Sequence, residues 1–450
     1  MSNTRYKKFF EGKKITVMGL GLLGRGVGDT AFLAECGAKV LVTDLKSAEQ
    51  LADSVTQLKA YSDITFVLGE HRLEDFEKCD MVLVAAGVPM DSPYLAHAQK
   101  NNVPLEMSAA LFARVSQIPI IGVTGTRGKS TITHMIHHVL SVVTGEPILL
   151  GGNIRGVSNL QLLNEVTEDS LCVMELDSWQ LQGFGWAGIS PQISVFSNFM
   201  PDHLNYYNND LDAYFFDKAN IFLYQEDHDV FVTTPEVFEQ AKQCALKKDI
   251  TIGQEVILTD TSVLPEELIL RVPGMHNRLN AALAYNALKA LSLTDEEIME
   301  GLSTFPGVPG RLEYIREIDD VKIYNDNNST TPAATIAGIE ALSTDVSKNV
   351  VLIMGGADKE IDMKDLLQLI TERCKAVVLL PGTGTDRIKN SLEGRIEVET
   401  LSEAVKQALA HAVSGDVILF SPAFASFGLF KNEYDRNDQF VAVVEEYGKH

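Results

Sequence analysis

One glycine-rich loop limits what this chain can fold into more than any other segment. Gly125-Thr126-Arg127-Gly128-Lys129-Ser130 follows an apolar run at 118–123 and precedes a segment with apolar residues at helical spacing: Ile132, Met135, Ile136, Val139 and Leu140. The run predicts a buried strand and the spacing predicts one face of a helix. Between them, glycines let backbone N–H groups surround an anion at the helix N-terminus. The segment therefore predicts a nucleoside triphosphate site, with Lys129 at the β- and γ-phosphates and Ser130 at a magnesium ion.

Length and composition are those of an ordinary globular protein with several domains. The chain has 450 residues, of which 45% are hydrophobic and 22% charged. That is enough material for two to four domains with separate cores, and three is our working number.

Charge and cysteine usage exclude several classes of partner. A formal net charge of −23 disfavours a nucleic acid or an anionic membrane surface, because both attract clustered Lys and Arg. Small anionic ligands remain possible, since local amides and cations hold them. The five cysteines form no Cys-x-x-Cys pair, and no apolar run of membrane-spanning length follows the basic N-terminal segment. We expect a cytoplasmic protein with no membrane partner.

Strand-like and helix-like segments alternate in three successive series, which is typical of parallel sheets with crossover helices. The strand-like runs lie at 15–18, 39–43 and 81–86, at 118–123, 171–176, 193–198 and 230–233, and at 350–354, 376–380 and 417–420. Prolines and glycines between Phe305 and Gly310 predict a linker and hinge. We therefore expect an α/β protein with domains at 1–110, 111–307 and 308–450.

A second glycine-rich turn, Gly19-Leu20-Gly21-Leu22-Leu23-Gly24, follows the first predicted strand, and Asp44 closes the next one. This pattern predicts that the backbone approaches a diphosphate closely and that Asp44 accepts hydrogen bonds from a ribose or a base. Two ligands fit the pattern, a nicotinamide or flavin cofactor and a UDP-sugar.

Three histidines on the helix after Lys129 have a spacing that zinc sites use. His134, His137 and His138 lie three and four residues apart, but no acid or cysteine is interleaved with them. We predict a solvated helix flank rather than a metal site.

Several motifs occur in the order in which the Mur ligase family has them. The loop Thr124 to Ser130 is followed by Glu175 at the end of an apolar run, by Asp202-His203, by Lys218 and by His276-Asn277-x-x-Asn280. The chain resembles this family on those motifs. The resemblance implies three domains: an N-terminal Rossmann-like UDP-binding domain, a central P-loop ATPase domain and a C-terminal Rossmann-like α/β domain.

The resemblance also implies the groups that act on ATP. Lys129, His203, Lys218 and Arg311 match the catalytic positions, with Arg311 reaching the ATP phosphates when the domains close. The magnesium ligands would be Ser130, Glu175, His203 and Lys218, the last as a carbamylated lysine that helps to hold a second ion. The implied ATP-binding residues are Gly125, Thr126, Arg127, Gly128, Lys129, Ser130, Thr131, Asn277, Asn280, Arg311 and Asp326.

Two further residue sets follow from the resemblance. A triphosphate loop in the next domain favours a UDP-linked substrate over NAD at the first turn, because redox chemistry needs no ATP. The implied UDP-substrate residues are Gly19, Gly21, Leu22, Leu23, Gly24, Asp44, Gly87 and Asn153. The C-terminal motifs resemble the member that adds D-glutamate, and Thr330, Lys359 and Ser426 would receive that dicarboxylate. Three positions depart from the family pattern: Leu23, Asn328, where the family has a lysine, and Glu433, where some members have an aromatic residue.

The activity implied is an ATP-dependent amide ligase of peptidoglycan precursor synthesis. It would join D-glutamate to UDP-N-acetylmuramoyl-L-alanine through an acyl phosphate, using ATP and two Mg²⁺ ions, and we expect it to act as a monomer. The alternatives are a Mur ligase that adds another amino acid, an NAD-dependent oxidoreductase, and a P-loop switch protein. A switch protein would need the guanine-reading Asn-Lys-x-Asp motif, which this chain lacks.

Overall fold

The structure is a computed structural model that describes residues 4–21, 24–343 and 348–447. In these residues the strands form three sheets, each flanked by helices. The predicted α/β class is therefore confirmed. The chain divides into two compact units, residues 1–266 with 279–302, and residues 267–278 with 303–450.

The N-terminal sheet belongs to the first unit and is parallel throughout, in the order β3-β2-β1-β4-β5. Its strands are β1 (Lys14–Met18), β2 (Lys39–Asp44), β3 (Ile64–Leu68), β4 (Met81–Val84) and β5 (Leu105–Glu106). Its helices are α1 (Thr4–Phe10), α2 (Arg25–Glu35), α3 (Ala52–Leu58), α4 (Pro93–Lys100) and α5 (Ser108–Ser116). β1 is buried over its last four residues because helices cover both faces of a parallel sheet. The glycine turn follows β1 directly, and Gly24 (φ 82°) is the N-cap of α2.

The middle sheet, also in the first unit, is parallel in the order β11-β10-β9-β6-β8-β7. Its strands are β6 (Ile120–Thr124), β7 (Leu149–Gly152), β8 (Cys172–Glu175), β9 (Ile193–Phe196), β10 (Val230–Thr233) and β11 (Glu255–Leu258). The helices after β6 are α6 (Lys129–Thr144), α7 (Ser178–Ala187), α8 (Leu211–Ala219), α9 (Pro235–Lys247), α10 (Met275–Lys289) and α11 (Asp295–Thr304). β6 lies inside the sheet and is fully buried. Its carboxyl end opens beside those of β8 and β9, the edge where α/β sheets bind ligands.

The C-terminal sheet forms the core of the second unit, in the order β12-β13-β17-β14-β15-β16. Its strands are β12 (Glu313–Ile318), β13 (Val321–Asn325), β14 (Val350–Gly355), β15 (Cys374–Leu380), β16 (Ile396–Glu397) and β17 (Val417–Phe420). Its helices are α12 (Pro332–Leu342), α13 (Lys364–Arg373), α14 (Thr383–Ile388), α15 (Leu401–His411) and α16 (Glu433–Glu446). β12 is antiparallel to β13 and the other neighbours are parallel. Apolar clusters cover both faces of the sheet.

One continuous apolar core joins the elements around the first two sheets. It includes Phe32 and Leu33 of α2, Phe112 of α5 and Leu160, which precedes β8. The boundary predicted near residue 110 thus lies inside a shared core. No helix among the described residues is both long and apolar enough to cross a bilayer.

Candidate active site

The phosphate loop packs closely against the segment that follows β9, the strand next to β6. Gly125 has φ 142°, and a Cβ there would lie closer than 3.0 Å to Ser197 Oγ, a separation that real Cβ atoms do not adopt. The segment after β9 holds the loop: the Thr126 N–H donates to Asn198 O (2.9 Å) and the Arg127 N–H to Asn198 Oδ1 (2.9 Å). Glycine is therefore required at position 125 because the chain passes so near its neighbour.

Two lysine side chains meet at one carbonyl of this loop. Lys129 Nζ donates to Gly125 O (3.1 Å) and Thr126 O (3.3 Å), and Lys218 Nζ donates to Gly125 O (2.9 Å). Lys218 comes from α8, 93 residues from Gly125 in sequence, and is 1% exposed. Burial and the neighbouring Lys129 cation lower the pKa of Lys218 to about 7, although Asp177, Asp202 and Asp217 oppose the shift. A large part of this amine is therefore neutral at physiological pH.

Glu175 stands at the carboxyl end of β8 and is 5% exposed. Asn153, at the end of β7, donates from its backbone N–H to Glu175 O (2.7 Å) and from Nδ2 to Glu175 Oε1 (3.4 Å). β7 and β8 are neighbours in register, with Gly152 opposite Glu175, so the strand order itself brings these two predicted residues together.

A group of aromatic rings places His203 in the same region. Its ring lies 4.7 Å from the Trp179 ring and 6.0 Å from the Tyr214 ring, measured between centroids. Lys218 Nζ lies 4.9 Å from the centroid of Tyr214. The Tyr214 side chain also interacts with Thr126 of the phosphate loop. Tyr214 therefore connects the loop, His203 and Lys218.

Sequence reasoning missed Tyr214, which is 1% exposed. Burial raises the pKa of its phenol, so it is a neutral hydroxyl. The available signal was its position four residues before Lys218, which puts both side chains on one face of α8.

The donor set fits a magnesium ion that also binds phosphate oxygens. In the described ranges, no group of three or more His, Cys, Asp and Glu side chains is arranged to hold a metal by itself. Mg²⁺ is usually bound by one or two carboxylates together with substrate phosphates and waters. Glu175 and the hydroxyl of Ser130, the second residue of α6, supply oxygens of the type it prefers.

The other predicted nucleotide residues lie on α10 and in the second unit. A Cβ at Gly128 would collide with Asn280 Oδ1, so Asn280 packs against the loop. Asn277 Nδ2 donates to Pro273 O (2.9 Å), which fixes the start of the helix. Arg311 and Asp326 belong to the second unit, and their roles toward ATP stay predictions.

An open cavity of about 850 Å³ lies at the carboxyl edge of the N-terminal sheet. Of the predicted UDP-substrate residues, its lining includes Gly19 and Gly21. Arg25, Asp29 and Asn159 are among the lining residues that were not predicted. Arg25 and Asp29 lie at the start of α2, four residues apart, directly after the glycine turn.

The other residues of the UDP set have local roles in this structure. Asp44 Oδ2 accepts from the Leu20 N–H (2.9 Å), so its carboxylate holds the glycine turn in place. Gly24 and Gly87 have positive φ, 82° and 90°. Leu22 and Leu23 lie outside the described residues.

A second open cavity, of about 770 Å³, lies in the C-terminal sheet's unit. It brings together all three residues predicted to bind D-glutamate: Lys359 Nζ donates to Thr330 Oγ1 (2.8 Å), and Ser426 also lines the cavity. Arg311 and two of the three departures from the family pattern, Asn328 and Glu433, line it too. The cavity thus presents two cations and one carboxylate.

Two buried ionisable side chains of the same unit, Asp326 and Arg436, hold neighbouring segments together by hydrogen bonds. Asp326 accepts from Ser421 Oγ (2.9 Å) and the Leu312 N–H (3.2 Å), and burial raises its pKa to about 6. Arg436, 0% exposed, donates to Asn327 Oδ1 (2.7 Å) and to Asn327 O (2.9 Å). Burial lowers the pKa of its guanidinium to about 10. Sequence reasoning missed Arg436, because nothing in a helical Asp-Arg-Asn segment marks it as buried.

His134 and His137 of α6 are partly buried, so this flank is less solvated than the sequence predicted. His134 Nδ1 lies 2.8 Å from Ser130 O and His137 Nε2 lies 2.9 Å from Ile148 O. Both rings are half-buried, and burial lowers the pKa of His137. The error arose because the segment leading into β7 packs against this side of the helix.

Family models match most of the chain. Residues 13–106 match the Mur ligase MurD-like N-terminal domain, residues 123–288 the Mur ligase middle domain, and residues 310–424 the Mur ligase glutamate ligase domain.

Curated relatives match over nearly their whole length. Proteins named UDP-N-acetylmuramoylalanine--D-glutamate ligase are 35% identical in Roseiflexus sp. (97% of this chain, 99% of the relative) and 34% identical in Borreliella afzelii (96% and 97%). A protein of the same name from Clostridium kluyveri is 32% identical (98% of both chains).

Solved structures share the fold at low identity. The UDP-N-acetylmuramate-alanine ligase of Thermotoga maritima has a TM-score of 0.56 at 20% identity, covering 96% of this chain and 99% of that one. The MurF ligase of the same organism, in complex with ADP, has a TM-score of 0.55 at 16% identity, covering 98% and 96%.

Proposed function

Because this chain belongs to the Mur ligase family, we propose that it is an ATP-dependent ligase that joins D-glutamate to UDP-N-acetylmuramoyl-L-alanine. The observation that carries the catalytic part of this proposal is the meeting of Lys129 and Lys218 at the Gly125 carbonyl of the phosphate loop. A phosphate-binding loop alone fits many nucleotide-binding proteins. A buried, partly neutral amine from a distant helix beside the loop lysine is a more specific arrangement.

The first chemical step in this proposal is phosphoryl transfer. The carboxylate of the L-alanyl group attacks the γ-phosphorus of ATP, the bond to the β-phosphate oxygen breaks, and ADP leaves. Lys129 neutralises charge on the phosphates, and the loop amides orient them. Such steps depend mainly on positioning and electrostatics rather than on covalent help from the protein.

The second step forms the amide. The amine of D-glutamate attacks the acyl carbon, inorganic phosphate leaves with the electron pair of the C–O bond, and the amine loses a proton. Lys359, Thr330 and Ser426 supply a cation and two hydroxyls for a dicarboxylate. Arg311, which lines the same cavity, is proposed to reach the ATP phosphates when the domains close, with 305–310 as the hinge.

Magnesium would supply charge neutralisation at the phosphate oxygens. Glu175, Ser130 and His203 are the groups proposed to hold it. We further propose that Lys218 is carbamylated: CO₂ adds to a neutral amine, and the lowered pKa of Lys218 keeps much of it neutral near pH 7. The carbamic acid formed loses a proton, and the resulting carbamate is an anion that can help to hold a second ion.

The remaining parts of the proposal concern the wider setting. We propose that 1–110 binds the UDP-linked substrate, 111–307 binds ATP and 308–450 binds the amino acid. We also propose that the protein works as a monomer in the cytoplasm, where its nucleotide substrates are made.

Phosphate release by the purified protein tests the proposal. The mixture contains UDP-N-acetylmuramoyl-L-alanine, ATP, Mg²⁺ and one of D-glutamate, L-glutamate, D-aspartate, glycine, L-alanine or L-lysine. We expect stimulation by D-glutamate and formation of the matching amide product. If no amino acid stimulates release, the ligase proposal fails; if another amino acid does so far better than D-glutamate, the assignment of substrate fails.

A further inference from the structure

Arg25 lies between the cavity of the N-terminal sheet and Glu175. It is the first residue of α2, directly after the Gly24 N-cap, and its side chain is half-buried in the lining of that cavity. Arg25 Nη1 donates to Asn153 Oδ1 over 2.6 Å, across 128 residues of sequence. Asn153 in turn donates from Nδ2 to Glu175 Oε1 (3.4 Å).

The side-chain amide of Asn153 fits between Arg25 and Glu175 in only one of its two orientations. A carboxamide has one oxygen, which accepts, and one NH₂ group, which donates. A guanidinium can only donate, so Arg25 requires the oxygen of Asn153 on its side. The NH₂ group must then face the other way, toward the Glu175 carboxylate. Without Arg25 the amide can turn over and present its oxygen to that carboxylate instead.

The backbone around Asn153 is fixed independently of this side chain. The Asn153 N–H donates to Glu175 O (2.7 Å), and the Gly152 N–H donates to Asn159 Oδ1 (2.7 Å). Asp29, one turn after Arg25, accepts from Ser158 Oγ (2.6 Å) and the Leu160 N–H (3.0 Å). The hydrogen bonds that hold this backbone do not involve Arg25, although the Arg25 charge lowers the pKa of the buried Asp29 carboxyl, which burial raises. What Arg25 contacts directly is the side-chain amide of Asn153.

We propose that Arg25 is a positioning residue that sets the orientation of Glu175 through the side-chain amide of Asn153. This inference rests on the proposed function, since it takes Glu175 as a ligand of magnesium. The guanidinium has five N–H donors, so the edge of Arg25 that faces the cavity can also meet an anion there. The same residue then connects the substrate cavity with the metal carboxylate.

A double-mutant cycle tests the proposal without requiring turnover. The dissociation constant of Mn²⁺, used in place of Mg²⁺, is measured by electron paramagnetic resonance on the full-length protein with saturating ADP. The variants are Arg25→Met, Asn153→Ala and the double substitution, with Arg25→Lys as the conservative variant. Arg395→Met, which removes an arginine paired with Glu397 elsewhere in the chain, is the control.

We expect Arg25→Met and Asn153→Ala each to weaken Mn²⁺ binding about tenfold, the lower end of the range for partners of metal ligands. The double variant should be no weaker than either single variant, because Arg25 acts only through Asn153. Arg25→Lys keeps a donor and should stay within about threefold of the wild type, with the control unchanged. If Arg25→Met folds poorly, Arg25→Leu, which also removes every side-chain donor, replaces it.

Additive losses, or a wild-type constant in Arg25→Met, would overturn the proposal. So would wild-type protein that binds no Mn²⁺ with ADP. If the cycle behaves as expected while D-glutamate gives no phosphate release, the proposed function fails and the role of Arg25 stands. If release is normal and the losses add, only the role of Arg25 fails.

Discussion

Replacing Gly125 by alanine tests whether the closeness of the phosphate loop to its neighbour is essential. The new Cβ would collide with Ser197 Oγ and lie 3.2 Å from Asn198 N and O. To make room, Ser197 must give up its hydrogen bonds to Arg127 O (2.6 Å) and Thr124 O (3.2 Å). The φ of 142° adds strain, because side-chain-bearing residues rarely adopt it.

The expected loss of stability is the sum of the backbone strain and the lost hydrogen bonds. Backbone strain of this kind costs about 1–3 kcal/mol, and each lost hydrogen bond about 0.5–1.5 kcal/mol. We therefore expect Gly125→Ala to lower the free energy of unfolding by roughly 2–6 kcal/mol. Turnover should fall about 100-fold or more, because Gly125 O positions both Lys129 and Lys218.

The matched control is Gly145, at the C-terminal end of α6, the helix that follows the phosphate loop. Gly145 is the C-cap of α6 with φ 66°, and a Cβ there meets no atom within 4 Å. Gly145→Ala should cost about 1 kcal/mol through strain alone and leave turnover unchanged. Adding Ser197→Ala to Gly125→Ala removes the colliding oxygen and should restore part of both losses.

Two measurements decide the matter. The urea midpoint is followed by the fluorescence of Trp179 and Trp186, the two tryptophans of the chain, both in the first compact unit. Phosphate release with D-glutamate gives the turnover. The reasoning is refuted if Gly125→Ala is no less stable than Gly145→Ala and keeps wild-type turnover.

Three other perturbations have expected outcomes. Lys129→Ala should abolish phosphate release while binding of UDP-N-acetylmuramoyl-L-alanine, measured by calorimetry, persists; normal release would remove the loop from the mechanism. Lys218 has a pKa of about 7 in the folded protein against 10.5 for the ordinary amine, so only the unfolded chain holds that proton between these values. In CO₂-free buffer, the wild type should therefore gain stability relative to Lys218→Met as the pH rises from about 7 to about 9.5, and parallel urea midpoints would contradict this. Glu433→Gln should lower the KM for D-glutamate roughly two- to fivefold, because it removes a like charge from the cavity that receives the dicarboxylate, whereas the exposed Glu393→Gln should not.

Much of the fold could be predicted because continuous apolar runs in the sequence indicate its buried strands. The runs at 230–233 and 417–420 are β10 and β17 with the same bounds, and most of the other predicted strands differ from the observed ones by one or two residues. Continuous apolar runs are reliable where a parallel sheet is buried on both faces. Short strands such as β5 and β16, with two residues each, and the antiparallel β12 had no such pattern and were missed.

The candidate site could be predicted only in part. Residues with a recognisable motif, such as Lys129, Glu175 and Lys359, could be named as candidates from the sequence, and their roles stay predictions. Arg25 was missed because its partner Asn153 is 128 residues away in sequence. Tyr214 was missed although its spacing of four residues from Lys218 on α8 was a local signal. The burial of His137 on α6 was misjudged because the segment leading into β7, outside the helix, packs against it.

The sequence by itself determined the α/β class, the longer buried strands, the glycine turns and the family, because these depend on neighbours along the chain. Tertiary structure alone decided that a lysine of α8 shares the Gly125 carbonyl with Lys129, and that α2 supplies an arginine to Asn153. The physical reason is burial: the low pKa of Lys218 exists only where a folded core excludes water from its amine, and no local pattern records that exclusion.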